Sequence, residues 1–188
     1  MDISAKPFCS YVLRSSNTFK LTYKQAAFLA QIRGAFKRST PHPYQPGMNF
    51  LALDPGETTG ACRLQSIEGE FYFTLEQWKT KDIGESAGLL NYMLEQYSTD
   101  HVRMEDYKVY SWKTEDHSWA ALHTPQLIGA LKAVCYFARV PWSMKMAVDA
   151  KTFWTDEKLK MLGIYDPTKG MRHARDAFRH ALTFLVQG

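Results

Sequence analysis

The chain has 188 residues, is 45% hydrophobic and 14% aromatic, and carries a net charge of +4. This length suits one domain with a real core, and no stretch approaches the roughly 18 apolar residues of a membrane span. Three scattered cysteines (Cys9, Cys62 and Cys135) with no CxxC argue against disulfides and a structural zinc site, and no apolar secretory h-region is visible, so a reducing cytoplasm is the expected location.

The small net charge hides a pattern. Residues 1–47 hold seven Lys/Arg against one Asp, residues 48–131 six against thirteen Asp/Glu, and residues 132–188 ten against five. Basic ends suit a polyanion such as nucleic acid, and an acidic middle suits a site that collects cations. Ordinary solvated charge is the competing reading.

Residues 1–21 show little pattern. Thr22 to Arg38 reads as an amphipathic helix, with Thr22 and Gln25 spaced as a capping box and Ala26, Leu29, Ala30 and Ile32 as its apolar face. Arg33, Lys37 and Arg38 load its C-terminal end, where they suit the helix dipole or a phosphate; simple packing on the domain is equally consistent. Pro41, Pro43, Pro46 and Gly47 then read as a linker. The expected division is a basic extension over 1–47 and a main domain over 48–188.

Asn49 to Leu64, NFLALDPGETTGACRL, reads as a buried strand ending at Asp54, a Pro55-Gly56 turn and a returning strand. Glu70 to Trp78 reads as a third strand joined by a hairpin. A helix follows over Ile83 to Tyr97, its buried side formed by Leu89, Leu90, Met93 and Leu94. The fourth strand, around Val102 and Met104, ends in Glu105-Asp106. Residues 107–123 read as an aromatic loop entering a helix over Thr124 to Arg139. A fifth strand over Pro141 to Val148 precedes a helix over Lys151 to Leu162 with Trp154, Leu159 and Leu162 inward. A turn over Asp166 to Gly170 leads to a last helix, Met171 to Val186.

This order predicts an α/β fold with a mixed sheet and helices on both faces. The simplest right-handed crossover makes the first and fourth of these strands neighbours. Asp54 and Glu105 then lie side by side at carboxyl strand ends, where open α/β sheets bind ligands. In the last helix His173 and Asp176 stand at i and i+3 and share one face, which packing across the sheet brings towards both carboxylates. Strand alternation puts Met104 and Asp106 opposite Glu105. His180, four residues after Asp176, is an alternative to His173. Asp149 and Asp166 read as a helix cap and a turn residue.

Three carboxylates from separate elements suit phosphodiester hydrolysis by two Mg²⁺ or Mn²⁺ ions about 4 Å apart. Asp54 is placed to bridge both ions, Glu105 and Asp176 each to complete one, and His173 to bind metal or orient the attacking water.

Asp54-Pro55-Gly56 with Thr59-Gly60, Val102-x-Met104-Glu105, and His173-x-x-Asp176-Ala177 with Ala181-Leu182 together resemble the RuvC family of Holliday junction resolvases, in the ribonuclease H-like superfamily. The resemblance covers about residues 48–188. It implies a five-stranded sheet whose first three strands are antiparallel, Mg²⁺- or Mn²⁺-dependent cleavage of branched DNA, and a homodimer making paired nicks. It makes Asp54, Glu105, His173 and Asp176 the metal and catalytic positions.

Residues 1–47 lie outside that family's pattern, as does the aromatic content after Glu105. Tyr107, Tyr110, Trp112 and Trp119 suit stacking on unpaired bases, a dimer interface or a core. Lys151, Lys158, Lys160, Lys169 and Arg172 are placed to track phosphates. A compact member of this kind suits a bacterial or phage-infected cell. Other ribonuclease H-like nucleases (hybrid-cutting, terminase-type or transposase-related) share the same metal site. An actin-like ATPase shares the Asp-x-Gly loop but needs about twice the length, and an inactive DNA-binding module needs no carboxylate set.

Overall fold

The computed structural model describes residues 13–35, 47–107 and 123–187. Six strands form one sheet: β1 (Leu13–Lys20), β2 (Phe50–Asp54), β3 (Thr58–Ile67), β4 (Glu70–Lys79), β5 (His101–Asp106) and β6 (Trp142–Met146). Their order is β1-β4-β3-β2-β5-β6. The pairs β1–β4, β4–β3 and β3–β2 are antiparallel, whereas β2–β5 and β5–β6 are parallel. The expected five strands are all present, with the first and fourth adjacent as predicted.

The sixth strand is a correction. β1 comes from the N-terminal segment and pairs with β4 along its length, from Leu13 opposite Lys79 to Lys20 opposite Tyr72. Its sequence, LRSSNTFK, has almost no apolar alternation, because an edge strand is held by its neighbour's backbone and buries few side chains. Phe19 is its anchor, stacked on Phe73 of β4 with ring centroids 5.6 Å apart.

Among the described residues, six α-helices cover the sheet: α1 (Tyr23–Ala35), α2 (Ile83–Gln96), α3 (His123–Phe137), α4 (Ala147–Phe153), α5 (Asp156–Met161) and α6 (Arg172–Gln187). The capping box of α1 is present: Thr22 N–H donates to Gln25 Oε1 (2.8 Å), and Gln25 N–H donates to Thr22 Oγ1 (3.3 Å). Leu29 is buried and Ile32 half-buried, but Ala30 is exposed, which narrows the expected apolar face.

The helix expected over 151–162 is two helices. Trp154 leaves the helical path, and Thr155 caps α5 by accepting from Lys158 N–H (3.3 Å). Asp149 lies inside α4, whose N-cap is Met146, so Asp149 is not the cap. Val148, expected in a strand, is also in α4. Asp166 opens a 3-10 turn, as expected of a turn residue.

Strand alternation divides the core in two. Phe50, Ala52, Cys62, Leu64, Phe73 and Leu75 face α6, together with α1 and α5. Leu51, Leu53, Ala61, Trp78, Val102 and Met104 face α2 and α3. Helix α6 lies against the sheet with α1 and α4 also in contact with it, and is buried without interruption from Asp176 to Val186. Its polar residues therefore need partners inside the protein.

Candidate active site

The site starts from strand register. Leu53 of β2 lies opposite Met104 of β5, so the next residues, Asp54 and Glu105, stand together where both strands end. Leu53 and Met104 enter the α2–α3 core. Asp54 and Glu105 consequently face α6, and Asp106, the last residue of β5, is exposed.

One row across the sheet seats the start of α6. Asp54 pairs with Gly60 on β3, and Gly60 pairs with Gln77 on β4. A Cβ on Gly60 would lie 2.0 Å from the main-chain carbon of His173 and 2.3 Å from Ala174 N. Glycine is thus required because the helix backbone occupies the side-chain position. Beside it, His173 N–H donates to Gln77 Oε1 (3.0 Å), satisfying one of the donors left open at a helix start. This docking carries the His173 ring to Asp54, where Nδ1–H donates to Oδ2 at 2.8 Å.

Further along α6, His180 Nε2–H donates to Glu105 Oε2 at 3.1 Å. His173 and His180 were alternatives by sequence; the fold gives each its own carboxylate. Asp176 points into the protein and is 5% exposed. Its Oδ1 accepts from Arg179 Nη1, while Arg179 also donates through Nε to Trp154 O (2.7 Å) and through Nη2 to Asp156 Oδ1. The kink between α4 and α5 supplies both Trp154 O and Asp156. Lys151 of α4 completes the cluster, its Nζ 3.1 Å from Asp176 Oδ2 and 3.5 Å from Glu105 Oε1.

The electrostatics follow from that packing. Burial pushes the Asp54 carboxyl up; the Glu105 and Asp176 charges add to the rise, against the His173 hydrogen bond. Burial also favours a neutral Glu105, but the His180 hydrogen bond and the Lys151 charge outweigh it and hold that carboxyl below its usual value. The Asp54 hydrogen bond raises His173 despite burial. Burial would lower the Lys151 ammonium, but Glu105 and Asp176, with Asp54 behind them, raise it. Lys151 and Arg179 are thus the cationic partners of this carboxylate cluster.

Among the described residues, no three His, Cys, Asp or Glu side chains form a ready-made metal ligand set. The donor chemistry nevertheless fits a hard divalent ion, with carboxylate oxygens arriving from three separate elements. The position between Glu105 and Asp176 is already held by a cation, the Lys151 ammonium.

The remaining expected residues are scattered. Lys169 and Arg172 are exposed just before and at the start of α6. Tyr107 follows β5 and is half-buried. Arg33 lies with Phe71 and Leu185 around a small cavity, at the other end of α6 from His173 and about 18 Å along its axis. Lys37, Arg38, Tyr110, Trp112 and Trp119 lie outside the described residues. Lys151, expected on phosphates, instead contacts carboxylates. Sequence reasoning missed Arg179 and Gln77. Arg179 had a local signal, three residues after Asp176 on the same helix. Gln77 had none, since only the register of three strands brings it to α6.

By sequence, the chain matches no protein-family model and no curated protein. By structure, it is similar to Thermus thermophilus RuvC in complex with a Holliday junction substrate, at a TM-score of 0.57 and 19% identity over 72% of this chain and 91% of that one. A second structure of Thermus thermophilus RuvC gives 0.54 and 18%, over 72% and 92% of the two chains. The yeast mitochondrial Holliday junction resolvase gives 0.52 and 15%, over 85% and 91%. The chain has the RuvC-like form of the ribonuclease H-like fold.

Proposed function

We propose that this protein is a divalent-metal-dependent endonuclease that cleaves phosphodiester bonds in branched DNA, as a Holliday junction resolvase does. One observation carries the reading: Asp54, Glu105 and Asp176, from β2, β5 and α6, meet at the carboxyl ends of two adjacent parallel strands, each with one oxygen held by a neighbour. The shared fold with two resolvases supports the choice of substrate class.

A pair of Mg²⁺ or Mn²⁺ ions, when bound, supplies the charge that activates water and stabilises the leaving oxygen. The chain's own residues prepare the place for that chemistry. Asp54, at the end of β2 beside Glu105, would hold an ion through its carboxylate. Glu105 and Asp176 would add the oxygens that now face Lys151. His173, with Nδ1–H committed to Asp54 and its side chain 39% exposed, is the group placed to orient a water or take a proton at Nε2. His180 and Arg179 are buried and fix the carboxylates' orientation. Lys169 and Arg172, exposed before and at the start of α6, would meet the phosphate backbone. Paired nicks need two such sites, so the active form is a homodimer. The exposed Tyr136 and Phe137 at the end of α3 are an apolar surface available to it.

The test is cleavage of labelled four-way junction, fork, linear duplex and RNA–DNA hybrid, with Mg²⁺ and with chelator. Symmetric, Mg²⁺-dependent nicks in the junction are expected. Preferential cutting of hybrid or duplex moves the protein to another branch of the fold. Cleavage in chelator overturns the metal assignment.

A further inference from the structure

The three carboxylates do not present their oxygens equally. Asp54 Oδ2 is held by His173, Glu105 Oε2 by His180 and Asp176 Oδ1 by Arg179. The second oxygens of Glu105 and Asp176 both turn to one atom, Lys151 Nζ, at 3.5 and 3.1 Å. The two cations in the cluster differ in kind. The Arg179 side chain is 9% exposed and fixed by three partners, Asp176, Asp156 and Trp154 O. The Lys151 side chain is 40% exposed and makes ion pairs only with these two carboxylates among the described residues.

We propose that Lys151 is a resident counter-ion, which holds Glu105 and Asp176 together in the metal-free protein and is displaced towards solvent when a divalent ion binds between them. The proposal rests on the metal-dependent reading above. The physical basis is competition for the same oxygens. A carboxylate pair this close repels unless a cation lies between its members. A single ammonium supplies one charge through hydrogen bonds, whereas a divalent ion supplies two and binds carboxylate oxygen at about 2.0–2.1 Å. Both cannot occupy that space. Lysine suits a group that leaves, having a flexible four-carbon stem and a strongly hydrated head. Its backbone stays in place, because the adjacent Ala150 is 1% exposed and anchors α4. Only the side chain needs to swing out, and it then extends over the mouth of the site as a free positive charge.

The experiment compares wild type with Lys151→Met, which keeps the stem and removes the charge. Both are titrated with Mn²⁺ by calorimetry without DNA, and both are melted in chelator and in saturating Mn²⁺. Removing the competing charge should tighten Mn²⁺ binding about ten-fold. The variant should melt lower than wild type in chelator and gain more from Mn²⁺. Equal or weaker Mn²⁺ binding by a folded Lys151→Met overturns the displacement and leaves the metal reading standing. No Mn²⁺ binding by either folded protein overturns both. A second measurement needs no variant: acetylation of Lys151 in wild type, followed by mass spectrometry, in chelator and in saturating Mg²⁺. Faster labelling with Mg²⁺ is expected, and an unchanged or slower rate overturns the proposal.

Discussion

Gly60 and His173 are in backbone contact: a Cβ on residue 60 would sit 2.0 Å from the His173 carbonyl carbon and 2.2 Å from its oxygen. That approach sets the height of α6 above the sheet, and with it the reach of His173 to Asp54. Gly60→Ala must push the start of α6 outwards, since the atoms it meets are main chain. Overpacking of this kind costs about 1–3 kcal/mol or more, and the shift falls on the site itself. The expected result is a lower melting temperature together with loss of cleavage. Wild-type stability and activity in Gly60→Ala would contradict the close docking.

Arg179 ties Asp176 to Asp156 and to Trp154 O across the kink between α4 and α5. Arg179→Met leaves a buried carboxylate and a buried carbonyl without that partner. Breaking a buried pair from one side costs about 3–5 kcal/mol, or roughly 10 °C in a chain of this size. Arg179→Lys restores the charge but lacks the planar fork, so it should recover only part of the loss. Denaturant unfolding of both variants measures this; an unchanged midpoint would show that the cluster contributes nothing to stability.

The N-terminal segment is read as a basic arm by its composition, but β1 and α1 also build the fold. Deleting residues 1–40 bares the edge of β4 and uncovers Phe73 and Phe178, both of which pack on Phe19. The melting temperature should fall by at least about 5 °C, and the truncated chain should self-associate through its open edge. Light scattering and thermal melts check this. A monomer with unchanged stability would restore the simple arm. Only with folded truncated protein does the expected steeper loss of DNA binding at low salt report on phosphate contacts.

How much of this was legible in the sequence differs by element. The strands β2 to β5 and helix α6 announced themselves because each buries a dense apolar face, and the parallel β2–β5 pair followed from connection rules alone. That Asp54, Glu105, His173 and Asp176 would lie near one another was legible because each sits at a strand end or on one helix face. β1 was not, since LRSSNTFK takes its order from the backbone of β4. The break after Phe153 was marked by Thr155-Asp156-Glu157, a good helix start, but Trp154 masked it by continuing the apolar pattern. The role of Lys151 was illegible, because a lysine among basic neighbours reads as a phosphate contact until the fold sets it between two carboxylates.

Asp54 gives a stability prediction with a definite sign. Burial raises its carboxyl in the folded state. A raised carboxyl makes folding less favourable as pH rises through its unfolded value, near 3.9, towards the folded one, and the cost persists at neutral pH. Asp54→Asn removes that cost, and its amide oxygen can still accept from His173. In chelator at pH 7 the variant should therefore melt at or above the wild-type temperature. A clear fall would mean that Asp54 is a structural ion-pair partner rather than a carboxylate held for a ligand.

If Asp54, Glu105 and Asp176 form a hydrolytic site for branched DNA, removing the Asp54 charge must stop cleavage. The most direct measurement is single-turnover cleavage of a four-way junction in Mg²⁺ by wild type and Asp54→Asn, with junction binding measured in parallel. The variant should bind the junction as wild type does and cut it about a thousand-fold more slowly or not at all. Undiminished cleavage by a folded Asp54→Asn, or the absence of any Mg²⁺-dependent cleavage by wild type, would contradict that site.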